Sequence, residues 1–297
     1  MVVIPECNAT LLVLPGSTDK SSPPQTLLVD CGEPAGLSAA KREQRSTDVI
    51  NLLFKHLPKV IPGQRTIDNI IVTEASKDAC GFLGEVMGTY GFGHACYAGN
   101  LGDYTADRVG ESTAQWFNLQ QSINMQSFAT STYNLANPTT FLDRGSTKIY
   151  IVAANFGAGS RGSSSGTVVF VNHGSTQLML LGQAGKDDLE RIRKEYEKSV
   201  TSKEHVLLSG IATRVVIGQL PVRAKDNDSD PWPWSAKKTG GEPADWLITA
   251  PGYTPDSAAS GRDLGAWSIR PMRRRDLSPQ DDLVVFASPG DVQKGAP

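Results

Sequence analysis

The chain is poor in the residues that grip soft metal ions, with 4 cysteines and 4 histidines in 297 residues. Cys7, Cys31, Cys80 and Cys96 are widely scattered, form no Cys-x-x-Cys pair and have no cluster of His beside them. That spacing excludes a zinc knuckle and a dithiol redox motif, and reduced, mostly buried thiols are expected. Long hydrophobic runs are missing too: Thr26–Val29 and Gln177–Leu181 fall far short of the roughly 20 apolar residues that span a bilayer, so no membrane partner is expected. Met1–Glu6 carries neither a basic segment nor a sustained apolar one. It does not read as a secretory signal, and a soluble, cytoplasmic protein is the expectation. Charge of one sign is also lacking, because 29 Lys+Arg against 31 Asp+Glu give a net charge of −2. Whole-molecule attraction to nucleic acid or to an anionic surface is thereby excluded, and such a role would need a local patch.

What is present is the composition of a folded globular chain, 39% hydrophobic and 20% charged, with room for a sizeable core. Thr10–Leu14 and Thr26–Val29 flank the polar loop Pro15–Pro24, which predicts an antiparallel start. Thr47–Leu57 sets Val49, Ile50, Leu52, Leu53 and Leu57 on one helical face before Pro58. A compact strand at Ile67–Val72, a polar turn at Thr73–Ala79 and a helix at Cys80–Tyr90 follow. From Gly91 to Asn137 the periodicity weakens, and a mixed region or insert is expected there. Lys148–Ala154 and the pair Thr167–Asn172 and Gln177–Leu181 read as strands, the pair as a hairpin turning at His173-Gly174-Ser175. Lys186–Val200 is a charged helix with Leu189, Ile192 and Tyr196 in one stripe. Further strands are expected at Val206–Leu208, Val215–Val216, Trp246–Thr249 and Leu283–Ala287, around a long surface loop at Arg223–Pro243.

Several segments then match one family in order and spacing. Thr26–Gly32 is similar to a strand ending in Asp-x-Gly, Ile67–Thr73 to a strand leading into a metal loop, and Gly81–Met87 to the helix behind that loop. Gly166–Asn172 with Gln177–Ala184 resembles a hairpin ending in Thr-Gly-Asp-Ala, and Asp245–Tyr253 resembles the strand that delivers a Pro-His-His-Gly turn. Together they resemble the metallo-β-lactamase superfamily, and in particular its late-competence, DNA-uptake branch. The resemblance implies an α/β fold, a four-layer αββα sandwich, as one domain over residues 1–297 with a possible insert at 91–137 and a long loop at 223–243.

The departures from that family decide the expected function. Active members hold zinc through His-x-His-x-Asp-His, because neutral imidazoles supply nitrogen ligands and the Asp helps to hold a second ion. Here the stretch reads Glu74-Ala75-Ser76-Lys77-Asp78-Ala79. Only Asp78 survives. Gln183 stands in place of the bridging Asp, and Gly252 and Tyr253 in place of the downstream His. The remnant cleft is therefore assigned to Asp30, Glu74, Ser76, Asp78, Gln183, Gly252 and Tyr253, with no catalytic residue, metal or cofactor. None of His56, His94, His173 and His205 falls at a ligand position.

The sequence carries other signals beside this one. Ser76-Lys77 has the residue types of a nucleophile beside a base, yet such a pair is defined by geometry, and loop composition explains it as well. Gly157–Gly166 is Gly- and Ser-rich but lacks the Gly-Lys-Ser/Thr ending of a phosphate loop. Asp30 reads as a turn residue bonding backbone amides; were it close to Asp78, burial or repulsion would raise a pKa. Trp232 and Trp234 in a polar, Pro-rich loop, and Arg270, Arg273, Arg274 and Arg275 beside Trp267, are candidate partner-binding residues. The leading expectation is a catalytically degenerate scaffold, regulatory subunit or binding module whose partner is a protein, itself or an active relative. Two alternatives stand beside it: a phosphodiester or ester hydrolase using the remnant cleft with no zinc or one weakly bound ion, and nucleic-acid binding through the Arg cluster.

Overall fold

The computed structural model describes residues 2–4, 7–14, 23–59, 65–120, 124–128, 132–133, 139–145, 147–156, 166–173, 176–182, 213–218 and 246–249. They fall into two compact units that part between residues 129 and 130.

The first unit is built on a six-stranded sheet: β1 (Val2–Ile4), β2 (Ala9–Leu14), β3 (Gln25–Val29), β4 (Thr66–Val72), β5 (Gly91–Tyr97) and β6 (Met125–Ser127), in that spatial order. β1, β2 and β3 pair antiparallel, as the polar loop after Leu14 predicts. From β3 to β6 the pairing is parallel. Parallel strands need crossovers, and these are helical. α1 (Ala39–His56) joins β3 to β4; α2 (Lys77–Cys80) and α3 (Leu83–Thr89) join β4 to β5; α4 (Ala106–Val109) and α5 (Glu111–Gln120) join β5 to β6. Leu28, Ile70, Val72 and Ala95 enter one core cluster with Val49 and Leu53 of α1, Leu83 and Val86 of α3 and Phe117 of α5. Leu27, Val29 and Ile71, on the opposite sheet face, are buried as well. Such two-sided burial is why these strands read as continuous apolar runs without alternation.

Three differences from the sequence reading have physical causes. α1 begins eight residues before Thr47, because Ala39, Ala40, Lys41, Glu43 and Gln44 are exposed. They are good helix formers that bury nothing and so show no apolar period. The segment 73–79, expected as a polar turn, has Thr73, Glu74, Ala75 and Ala79 buried, and the helix expected from Cys80 begins at Lys77 and breaks at Gly81-Phe82. Gly91–Ser127 is continuous with the first unit, since β5 lies between β4 and β6, and Tyr104 stacks on Phe117 with ring centroids 3.9 Å apart. Its signal was diluted by short elements.

The second unit holds a seven-stranded sheet. β7 (Thr132–Tyr133) and β8 (Thr139–Arg144) both pair with β9 (Thr147–Phe156); β10 (Gly166–His173), β11 (Thr176–Leu180), β12 (Thr213–Gly218) and β13 (Trp246–Thr249) follow in order. β10 and β11 form the expected antiparallel hairpin, although His173 is the last paired residue of β10 and not part of the turn. β12 joins β11, and β13 joins β12, in parallel. The α/β class is thus observed. The expected helix at Lys186–Val200 and the strands at Val206–Leu208 and Leu283–Ala287 lie outside the described residues, as does Arg223–Pro243.

Candidate functional site

The carboxyl ends of parallel strands are where an α/β sheet turns its loops outward and collects polar side chains. Asp30 directly follows β3, and Thr73 and Glu74 directly follow β4. Asp30 takes a left-handed conformation, φ 59°, and is 2% exposed. Its Oδ1 accepts the Thr73 N–H at 2.8 Å and its Oδ2 accepts the Thr73 hydroxyl at 2.6 Å. Asn8, also left-handed at φ 45°, donates from Nδ2 to Asp30 Oδ2 at 3.4 Å and to the Asp78 carbonyl at 3.2 Å. Nothing in its sequence context marked Asn8 as part of this site.

The loop after β3 is knitted to α2 by backbone bonds. Cys31 N–H donates to the Ala79 carbonyl, Glu33 N–H to the Lys77 carbonyl, and Phe82 N–H to the Cys31 carbonyl. The approach is so close that a Cβ on Gly32 would lie 1.8 Å from the Asp78 carbonyl oxygen, so this position admits only glycine. Arg42 fastens the outer side, bonding Glu33 at 2.9 Å and Glu85 at 2.6 Å. Arg42 lay outside every sequence pattern, because its partners stand in other segments.

Within that frame the family-like stretch is occupied by packing and capping. The Ser76 hydroxyl accepts the Ala79 N–H at 3.3 Å as the N-cap of α2, so the Ser76-Lys77 pair reads as a cap followed by an exposed lysine. Ala75 and Ala79 are 1% and 0% exposed. Glu74 is 8% exposed, and its Oε2 has no hydrogen-bond partner. Asp78 is exposed at the first turn of α2.

Burial and like charge push these carboxyls up. Desolvation raises Asp30 to about 7 against the lowering bonds from Thr73, with the Glu74 charge adding to the rise. Glu74 also reaches about 7, through desolvation first and then the Asp78 charge, with Arg108 and the Ser76 hydroxyl pulling the other way. Asp78 is raised by partial desolvation and by the Glu33 charge. Burial lifts the Cys31 and Cys80 thiols far above their usual range, so they are packing groups and not nucleophiles. All four cysteines are free and buried, as expected.

The residues present do not fit a pair of zinc ions. Position 76 is spent on a cap, position 79 is a buried methyl, and position 74 is a carboxyl without an imidazole beside it. Among the described residues no group of three or more His, Cys, Asp or Glu is placed to hold a metal ion. His56 lies in the last turn of α1, His94 sits on β5 opposite Asn69, and His173 contacts Thr147 Oγ1 through Nδ1 at 2.6 Å.

No family model and no curated protein sequence matches the chain. Its structural neighbours are metallo-β-lactamase-fold proteins. The metallo-β-lactamase-fold protein YhfI of Bacillus subtilis is 15% identical, with 84% of this chain and 88% of that one covered and a TM-score of 0.40. Human tRNase Z, short form, is 14% identical over 82% and 91%, with a TM-score of 0.38. A Cronobacter sakazakii metallo-β-lactamase described by a HARLDQ motif and carrying the mutation S60 is 12% identical over 64% and 67%, with a TM-score of 0.36. No residue role is transferred from these likenesses.

Of the residues assigned to the remnant cleft, the structure brings Asp30, Glu74, Ser76 and Asp78 together. Gln183, Gly252 and Tyr253 lie outside the described residues, as do Trp232, Trp234, Arg270, Arg273, Arg274 and Arg275. Asp30 was expected as a turn residue bonding backbone amides; the amide it accepts belongs to Thr73, 43 residues along the chain, so the carboxylate joins two strand ends, and its left-handed conformation and full burial were not foreseen.

Proposed function

We propose that this chain is a catalytically degenerate metallo-β-lactamase-like protein of the late-competence type that works by binding a protein partner, itself or an active relative, in the cytoplasm. The observation that supports the reading is the use made of positions 74, 76 and 79: a buried carboxyl, a helix cap and a buried methyl stand where the family resemblance calls for imidazoles. The strand framework that would present them is intact, with Asp30 after β3 and Glu74 after β4. Trp232, Trp234 and the arginines at 270 and 273–275 are the residues through which partner binding is proposed, because aromatic and Arg side chains dominate interface energetics. Among the described residues no helix is long and apolar enough to cross a membrane.

Metal analysis of the protein purified from zinc-supplemented cells tests the reading, with well under one zinc per chain expected. A near-stoichiometric zinc that resists dialysis would overturn it.

A second reading, a hydrolase for phosphodiesters or esters, draws on one observation: the Glu74 charge helps to raise Asp30, and both carboxyls are pushed up to about 7, the setting in which one carboxyl serves as acid and its neighbour as base. Asp78→Ala should then abolish turnover of such substrates with stability unchanged. Full activity in that variant would discard the role of Asp78.

A further inference from the structure

Asp30 has its oxygens engaged by Thr73 and Asn8, whereas Glu74 in the same cluster is more than nine-tenths buried with Oε2 unpartnered. A buried carboxyl oxygen left without a donor costs free energy, so its persistence needs a reason. The surroundings are unbalanced in charge. Like charges follow one another through the cluster, Glu74 acting on Asp30, Asp78 on Glu74 and Glu33 on Asp78. Of the nearby cations, Lys77 beside Asp78 is exposed, Arg108 pairs with Asp103 at 3.2 Å, and Arg42 is held between Glu33 and Glu85. The Arg108 charge reaches Glu74, but its bond goes to Asp103.

A positive group is the occupant this arrangement lacks. A hard metal ion needs about six oxygen ligands drawn to one point, and no three candidate side chains among the described residues converge in that way. A guanidinium carries five N–H donors on a flat fork, which spans carboxylates that are set apart. We infer that Glu74, with Asp78 at its rim, receives a guanidinium group, supplied either by a small molecule or by an arginine side chain of a protein. The inference rests on the zinc-free reading above and names the ligand chemistry for the same site.

The test uses the full chain at pH 8, where the carboxyls are ionised, titrated calorimetrically with agmatine, with an Arg-containing peptide capped at both ends, and separately with magnesium, calcium and zinc chlorides. Saturable binding of agmatine or of the peptide is expected, weakened about tenfold or more by Glu74→Gln, as for a charge-assisted bond stripped of its charge. Tighter binding of the peptide than of agmatine assigns the ligand to a protein partner, and the reverse assigns it to a small molecule. Asp78→Asn, at an exposed position, gives a second variant that folds, and it should weaken binding in the same sense. No binding of either guanidinium, or binding unchanged in both variants, would overturn the inference while leaving the zinc-free reading in place. Stoichiometric zinc binding would overturn both, and magnesium or calcium binding lost in Glu74→Gln would replace the guanidinium with a metal ion.

Discussion

Thr73 gives both of its donors to one residue: its backbone N–H and its hydroxyl meet the two carboxylate oxygens of Asp30 at 2.8 and 2.6 Å. This clamp ties the end of β3 to the end of β4, and it sets the direction in which the chain leaves toward Glu74.

Thr73→Val keeps the shape and the amide but deletes the hydroxyl. The loss of a buried bond to a carboxylate should lower stability by about 2 kcal/mol, read as a shift in the urea midpoint with the slope unchanged. Thr73→Ser should recover most of it.

Stability should fall as pH rises from about 4 to about 7. Asp30 and Glu74 each have a folded pKa of about 7, above their ordinary values of 3.8 and 4.5, so in this window the folded state holds more protons than the unfolded chain. Each unit of displacement weighs about 1.4 kcal/mol. Denaturation midpoints measured at intervals across the window should decline, and Glu74→Gln should flatten the decline and be the more stable protein at pH 8. A wild-type profile that rises toward neutrality would contradict the assignment of raised carboxyls.

Gly32→Ala should be among the most damaging small substitutions in the chain. The new methyl meets a backbone carbonyl at 1.8 Å, which no rotamer relieves, and the bonds that join Cys31 and Glu33 to α2 would have to open. A drop of roughly 3 kcal/mol or more is expected, seen as loss of soluble protein or of the cooperative melt.

Ser76→Ala separates capping from catalysis. Loss of the side-chain cap on α2 should cost about 1 kcal/mol, visible in thermal melts, while Ser76→Asp should restore it. If any esterase activity of the protein disappeared in Ser76→Ala yet survived in a comparably destabilised Thr73→Val, Ser76 would have a chemical role beyond the cap.

The strands were legible because burial wrote itself into local pattern. β3 and β4 are apolar runs ended by Asp30 and Thr73, and β10 with β11 is a hairpin around two short runs. The start of α1 was not legible, because an exposed helical turn has no apolar period. Nor was the interior of 73–79, where Glu74 looks like a surface residue in sequence and is buried by neighbours far along the chain. At the site itself, residue identities at 74, 76, 78 and 79 were enough to argue against an imidazole cluster. Asn8 and Arg42 escaped notice because each acts on partners many positions away, 22 and 70 residues for Asn8 and 9 and 43 for Arg42; no local spacing encodes such a reach.

Ala79 is sealed from solvent, and close-packed interiors tolerate added bulk poorly, at about 1–3 kcal/mol for an overpacked side chain. Placing imidazoles at 74, 76 and 79 would therefore demand a volume increase at one position, the sacrifice of a helix start at the second and a new base at the third, with no gain until all were in place. Any one histidine introduced into this loop would carry its structural cost alone, without a second imidazole beside it to share an ion.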